Sequence, residues 1–323
     1  MRLVRLHPPL MVTAAVMALL AVLAAGGLLI DERVLVGVPI WLKPLKFAIS
    51  FAIYTVTFAW LISLLERRRR LGWWLGTVIA AAALTEVAVI VGQVVRGRHS
   101  HFNVATPLDL ALFQVMGGTV LLLWLATAGI GILLWRQRIA DRAAALAVRL
   151  GLVIALAGLS VGFLMLIPTP EQSAGIASGT PTLVGAHNVG VADGGPGLPL
   201  VNWSTVGGDL RAGHFVGMHA LQALPLLALG LTLAARRVRR LRAERTRARL
   251  VVVVAGGYAG LTALLTWQAL RGQSVVHPDA LTLGIAVALL VGTAAGTVWA
   301  LARPVSGVDG AGAVAATREG VSR

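Results

Sequence analysis

The 323-residue chain has no cysteine, which removes disulfide staples, thiolate nucleophiles, iron–sulfur clusters and cysteine-type zinc sites. It is also poor in charge. Asp, Glu, Lys and Arg make up 13% of its residues, against about 25% in an ordinary soluble domain. Lysine is nearly missing, since Lys43 and Lys46 are the only two among 28 basic residues. No polar low-complexity tract is present, so disordered and collagen-like classes are excluded. What fills the chain is apolar: 57% of residues are hydrophobic and the mean hydropathy is +0.83. That is the composition of a chain dissolved in lipid.

The net charge of +15 suggests a polyanionic partner, but its distribution argues against nucleic acid. The arginines come in short blocks between apolar runs: Arg67 to Arg70, and Arg236, Arg237, Arg239, Arg240, Arg242, Arg245, Arg247 and Arg249. Such blocks mark cytoplasmic loops of membrane proteins. The 236–249 block is expected to meet anionic lipid or a cytoplasmic partner.

Eight stretches approach the roughly 20 apolar residues that a helix needs to cross the bilayer. They are 10–30, 44–65, 72–95, 108–135, 147–167, 211–235, 249–270 and 279–301. The runs lack two-residue alternation, which excludes membrane strands. The first exceeds the 7–15 residues of a signal-peptide core and is expected to be retained as a helix. Placing both termini in the cytoplasm puts twenty-one of the 28 basic residues inside, as the positive-inside rule demands. The fold expected is therefore all-α: one eight-helix domain over 1–303 in the cell membrane, followed by a flexible cytoplasmic tail, 304–323. The 168–210 segment is the only long loop and is expected to be extracytoplasmic; loops this long without secondary structure of their own are lids, binding loops or disordered segments. Within it, Asp193 to Gly197 reads as turn chemistry.

Polar side chains inside spans are costly and are functional candidates by default. Counting 1.5 Å per residue, Glu86 lies roughly 13 Å below the outer surface, His214 about 5 Å and His219 about 12 Å. Lys46, Ser50, Tyr54, Gln93, Gln114 and Gln222 also fall in the outer half, whereas the inner halves are nearly all apolar. The loops above carry His99, His101, Asn103, His187, Trp203 and Arg211, and only His7 lies at the inner side. Structural readings compete for some of these. Asp109 follows Thr106-Pro107 as a capping partner, Asp209 can cap the sixth span, His277-Pro278-Asp279 opens the eighth, and Lys46 can snorkel to headgroups.

These residues predict a polar pocket in the outer leaflet and a metal- or haem-dependent membrane enzyme. Glu86, His99, His101, His214 and His219 are the candidate ligands for zinc, iron or copper. Glu86, His219 and Lys46 are the candidate acid–base groups. Gln93, Gln114, Gln222, Tyr54, Asp109, Asn103, Trp203 and Arg211 would orient them. Haem b would need two facing imidazoles, such as His219 with His99 or His101. His214 and His219, five apart, are turned about 140° on a helix and cannot share one ion without distortion.

Two families share features of this inventory. The membrane hydrolases that include alkaline ceramidases and adiponectin receptors hold an intramembrane zinc with similar residue types, but their His-x3-His helix is absent here and no residue is carried over. Haem A synthase is similar in topology, with eight spans, both ends inside and ligand histidines toward the outer face; here only the sixth span carries them within the core. Two other classes remain open: a transporter relaying protons through Glu86, Lys46 and His219, which needs an inner path through Thr57, Ser63 and Thr127, and a non-catalytic sensor or assembly subunit.

Overall fold

The computed structural model describes residues 6–303; the expected tail, 304–323, lies outside them. The chain is a helical bundle. Among the described residues seven helices are long and apolar enough to cross a membrane, and a bent pair makes an eighth candidate. They are α1 (Pro8–Ile30), α2 (Leu42–Ser63), α3 (Arg69–Val95), α4 (Pro107–Trp135), α5 (Arg142–Leu164), α9 (Glu244–Leu270) and α10 (Ala280–Ala302). The bent pair is α7 (Leu210–Met218) and α8 (Ala220–Ala234). A short α6 (Pro170–Ala177) lies in the long loop.

The helix starts are chemically marked. Thr106 caps α4 with Pro107 in the first turn, Asp141 caps α5, and Asp279 caps α10. His7 caps α1 through Nδ1, while its other nitrogen donates to the Trp73 carbonyl at 2.9 Å. The one histidine at the arginine-rich end is thereby a structural residue.

One core joins α1 to α5, with Leu10, Phe58, Leu61, Ile79, Leu123, Ile130 and Leu152 at its centre. A second joins α5, α8 and α9 around Ile154, Leu224 and Val251. Many large apolar side chains remain outside, among them Leu29, Leu226 and Leu290. In lipid such faces need no further cover. Helix α10 packs chiefly on α9, with Ala300 reaching Leu241 and the end of α8, and buries little else.

The sixth span departs from the sequence expectation. It is broken at His219 and bent by 41°. Gly217 lies against Gly158 of α5: a Cβ on either would come within 2.6 Å of the other's backbone. Gly213 lies equally close to Thr266 of α9. Small residues let α7 press into the α5–α9 groove. Below the break, Pro225 cannot donate to the Leu221 carbonyl, which removes a further helical bond.

The long loop, whose order the sequence leaves open, is organised. Thr169 and Gln172 form a reciprocal cap on α6. Strands β3 (Asn188–Val189) and β4 (Gly208–Asp209) pair antiparallel, Asn188 opposite Asp209. Val184 N donates to the Phe102 carbonyl at 2.8 Å and Leu210 N to the His187 carbonyl at 3.0 Å. These bonds lace the 99–104, 182–189 and 203–211 segments into one roof.

Candidate functional site

Beneath that roof lies a cavity of about 300 Å³ between α2, α3, α4, α5 and α7. Its lower wall is apolar and aromatic, with Phe51, Tyr54, Leu123, Trp124, Leu159 and Met218. Its polar lining comprises Lys46, Ser50, Glu86, His101, His187, Arg211 and His214. Cross-helix bonds set the levels. Trp124 Nε1 donates to Ser160 Oγ at 3.2 Å, Tyr54 and Thr127 share a 2.5 Å hydroxyl contact, and Thr119, one turn nearer the roof than Leu123, donates to Glu86 Oε1. Glu86 therefore belongs to the polar layer above an aromatic floor.

Each imidazole in this layer is oriented by a partner. His187 Nδ1 donates to Asp193 Oδ2 at 2.6 Å. Asp193 in turn accepts the backbone N–H groups of His187 and Asn188. Burial works against the charged Asp193 carboxyl, but the hydrogen bond and charge of His187 and those two amides hold it well below the usual carboxylate range. His214 Nδ1 donates to the Gly158 carbonyl at 2.8 Å. A carbonyl only accepts, so this proton is on Nδ1 and Nε2 carries the free lone pair. His101 is reversed: its Nδ1 accepts from Lys43 Nζ at 3.0 Å and from Ser100 Oγ at 3.1 Å. Burial, followed by the charges of Lys43, His187 and His214, pushes the His101 imidazole well below its ordinary value of 6.5. Burial also lowers His187, against the pull of Asp193.

The charged groups are unevenly satisfied. Arg211 grips the buried Asp209 through Nε at 2.9 Å and Nη2 at 2.6 Å, and Nη2 also reaches the Asn202 carbonyl. Asp209 caps α7 through the Arg211 backbone N–H and also holds the Ser204 N–H. Lys46 Nζ, by contrast, has only the Val201 carbonyl, at 3.1 Å. Glu86 is 1% exposed and, among the described residues, its Oε2 has no hydrogen-bond partner. A buried carboxylate oxygen without a donor is uncommon and needs an explanation.

The roof is strained where it meets the cavity. Phe102, Leu200 and Asn202 have φ of +64°, +65° and +55°, the left-handed region that costs a non-glycine residue of order 1–3 kcal/mol. Phe102 is buried against His187, with ring centroids 4.9 Å apart. Gly185 makes the turn beneath it at φ +109°, where a Cβ would meet the Phe102 ring.

The structure redistributes the residues singled out in the sequence. Lys46, Tyr54, Glu86, His101, Trp203, Arg211 and His214 line the cavity. His219 does not. It faces Phe215, centroids 4.4 Å apart, and bonds Gln222, which donates to Thr57 of α2. Glu86 and His219 are thus not partners, because the break in the sixth span turns His219 toward α2. Gln93 and Asp109 bond each other at 3.0 Å and share Arg96, with Thr106 completing a closed helix-capping network. Asn103 braces its own loop through the His99 carbonyl. His99 lies outside the cavity lining, and Gln114 is on an exposed face of α4. The five residues expected as one ligand set, Glu86, His99, His101, His214 and His219, are therefore not assembled. Among the described residues no three His, Asp or Glu side chains are placed to hold a metal ion. Of the inner residues a transport path would need, Thr57 is taken by Gln222, Thr127 by Tyr54 and Ser63 by its own helix.

His187 and Asp193 are the residues the sequence reading undervalued. Asp193 follows a histidine by six positions and precedes Gly-Gly-Pro-Gly; a carboxylate closing a loop onto an upstream imidazole was the available signal. Comparison with known proteins adds nothing to this geometry: no family model, curated protein or solved structure matches the chain.

Proposed function

We propose that this is an eight-pass protein of the cell membrane, with both termini cytoplasmic, that takes a lipid-soluble molecule into the cavity and performs acid–base chemistry on it. The positive-inside rule places the arginine-rich end in the cytoplasm and the roofed cavity at the outer leaflet. The observation that carries the reading is the His187–Asp193 pair. Its Nδ1–H is fixed on a carboxylate, and the ring lines an aromatic cavity, so Nε2 is presented as a proton acceptor. Concave, mostly apolar pockets with a few convergent polar groups are the usual form of small-molecule sites. Glu86, with one oxygen unpartnered, supplies an acceptor for a donor on the bound molecule. The exposed Arg239, Arg240 and Arg242 would hold the inner face against anionic lipid headgroups.

The test is mass spectrometry of organic extracts from gently purified protein. An amphiphile present at near-stoichiometric amount in the parent protein and depleted in Glu86→Gln supports the reading. Equal recovery from both proteins counts against it.

One observation favours a cofactor-dependent variant of the same reading. His187 and His214 each donate Nδ1–H to an acceptor and leave Nε2 free, the orientation that metal- and haem-ligating imidazoles require. Two such residues would suffice for haem b. A Soret band in the purified protein, lost in His214→Ala, selects that variant; a featureless spectrum with sub-stoichiometric zinc, iron and copper removes it.

A further inference from the structure

The chain uses arginine at 26 of its 28 basic positions and lysine only at 43 and 46. Both lysines fall on the first turns of α2, beside the cavity roof. Neither is within 4 Å of a carboxylate among the described residues, unlike Arg33, Arg96, Arg211, Arg247 and Arg271, each of which is paired. Lys43 contacts the His101 imidazole and lies within electrostatic reach of Lys46, Arg211, Asp193 and Glu86. Three cations from two helices thus converge on one layer. Its carboxylates are largely committed: Asp209 to Arg211, Asp193 to His187, and Glu86 to Thr119 through one oxygen. The cavity lining thus has one ammonium group, Lys46, awaiting an anion, with Lys43 in electrostatic reach, and one carboxylate oxygen awaiting a donor among the described residues.

The cavity also has a side opening. Gly117 and Val120 of α4 and Phe163 of α5, with Leu166 just beyond it, line the cavity and are exposed as well. A Cβ added to Gly117 would meet nothing within 4 Å. The gap between α4 and α5 lies among apolar side chains, so a hydrocarbon chain can pass through it into the bilayer while its head stays under the roof.

We propose that the molecule bound here is a single-chain or isoprenoid-type amphiphile with an anionic, hydroxyl-bearing head, of which a phosphate monoester is the simplest example. Its anionic oxygens lie on Lys46, which lines the cavity, with Lys43 adding charge from outside the lining; its hydroxyl donates to Glu86 Oε2, and its chain leaves between α4 and α5. Desolvated ammonium–phosphate contacts are strong, charge-assisted hydrogen bonds, and lysine serves as a compact point charge on such a group. This inference rests on the reading of the cavity as a ligand site and adds the chemistry of the ligand.

The test measures binding of hexadecyl phosphate, hexadecanol and inorganic phosphate to the full chain in nanodiscs. Hexadecyl phosphate is expected to bind at least tenfold more tightly than hexadecanol. Lys46→Gln should erase that preference without changing hexadecanol binding, and Lys46→Arg should restore part of it. Lys43→Gln provides a second variant if Lys46→Gln does not fold, and the preference of the unsubstituted protein is decisive in any case. Equal binding of the phosphate and the alcohol overturns the anionic head while leaving the cavity as a ligand site. Inorganic phosphate binding as tightly as the amphiphile reassigns the site to a free anion and overturns the proposal. Binding of none of the three overturns both this inference and the function proposed above.

Discussion

The Asp193 carboxylate accepts the Nδ1–H of His187 at 2.6 Å while two backbone N–H groups hold it in place. The pair turns a glycine-rich loop into the fixed edge of a cavity. Replacing Asp193 with Asn removes the charge and allows the imidazole to take the other tautomer. Turnover of the cavity's substrate, once identified, should fall by two orders of magnitude or more, the range of a positioned acid–base group. Binding of that molecule should be nearly unchanged. Parallel loss of binding and turnover would mean that the pair only holds the roof together.

Stability should fall on acidification. Burial lowers His101 and His187 below their ordinary 6.5, so the folded protein keeps them neutral while the unfolded chain takes up protons. Where the unfolded state binds more protons, stability rises with pH. The melting temperature in detergent should therefore decline as pH drops through about 6.5. The slope should be shallower in His101→Gln. Asp193 does not contribute in this window, since its stabilisation is lost only below the ordinary carboxylate range. A slope from pH 7.5 to 5.5 that is the same in the parent protein and in His101→Gln contradicts the burial of that imidazole.

Glu86→Gln keeps an oxygen to accept the Thr119 hydroxyl and removes the carboxylate. The variant should insert and melt within a few degrees of the parent, because no protein partner of Oε2 is lost. Ligand binding should weaken at least tenfold. Failure of this variant to fold would assign Glu86 a structural role between α3 and α4.

The Gly158–Gly217 contact tolerates no side chain, since an added Cβ meets backbone on both sides. Gly158→Ala should cost about 1–3 kcal/mol, the usual penalty of overpacking, and should also disturb His214, which donates to the Gly158 carbonyl. Gly230→Ala, in open space on α8, is the matched control and should be near neutral. Unfolding in graded SDS distinguishes the two; equal stabilities would place α5 and α7 further apart than described.

Asp209 is fully buried and neutralised by Arg211. Asp209→Ala leaves Arg211 without its counter-charge and α7 without its cap, at a cost on the order of 3 kcal/mol. Chemical unfolding in detergent measures it, and a loss under about 0.5 kcal/mol would show the pair to be solvated.

The spans were legible because crossing a bilayer is a local requirement: about twenty apolar residues in a row, ended by capping residues and arginines. The eight expected spans fall, among the described residues, on seven long apolar helices and on a bent pair that makes an eighth only if it is one span. The lining positions of Lys46, Tyr54, Glu86 and His214 were legible for the same reason, since polar groups inside apolar runs stand out. His101 and Trp203 stood out only as members of the loops above the spans, and Arg211 only at the edge where such a loop meets one. Depth along a helix follows from counting residues. Rotation about its axis, and any break in it, do not. His219 and Glu86 were expected to meet on depth alone, yet Gly213, Gly217 and Pro225 bend the sixth span and send His219 to Gln222 and Thr57.

By itself, then, the sequence determined that the chain forms a series of long apolar helices consistent with a polytopic membrane protein, roughly where each lies, and which end gathers its histidines. These depend on hydrophobicity and charge within short windows. Only the tertiary structure decided which polar groups share a cavity. It paired Asp193 with His187 through a loop the sequence presents as turn-forming, retired Gln93 and Asp109 into a capping network, and left Lys43 and Lys46 without carboxylate partners. Those outcomes depend on close approach between segments far apart in the chain, set by how glycine-lined helices pack rather than by any local pattern.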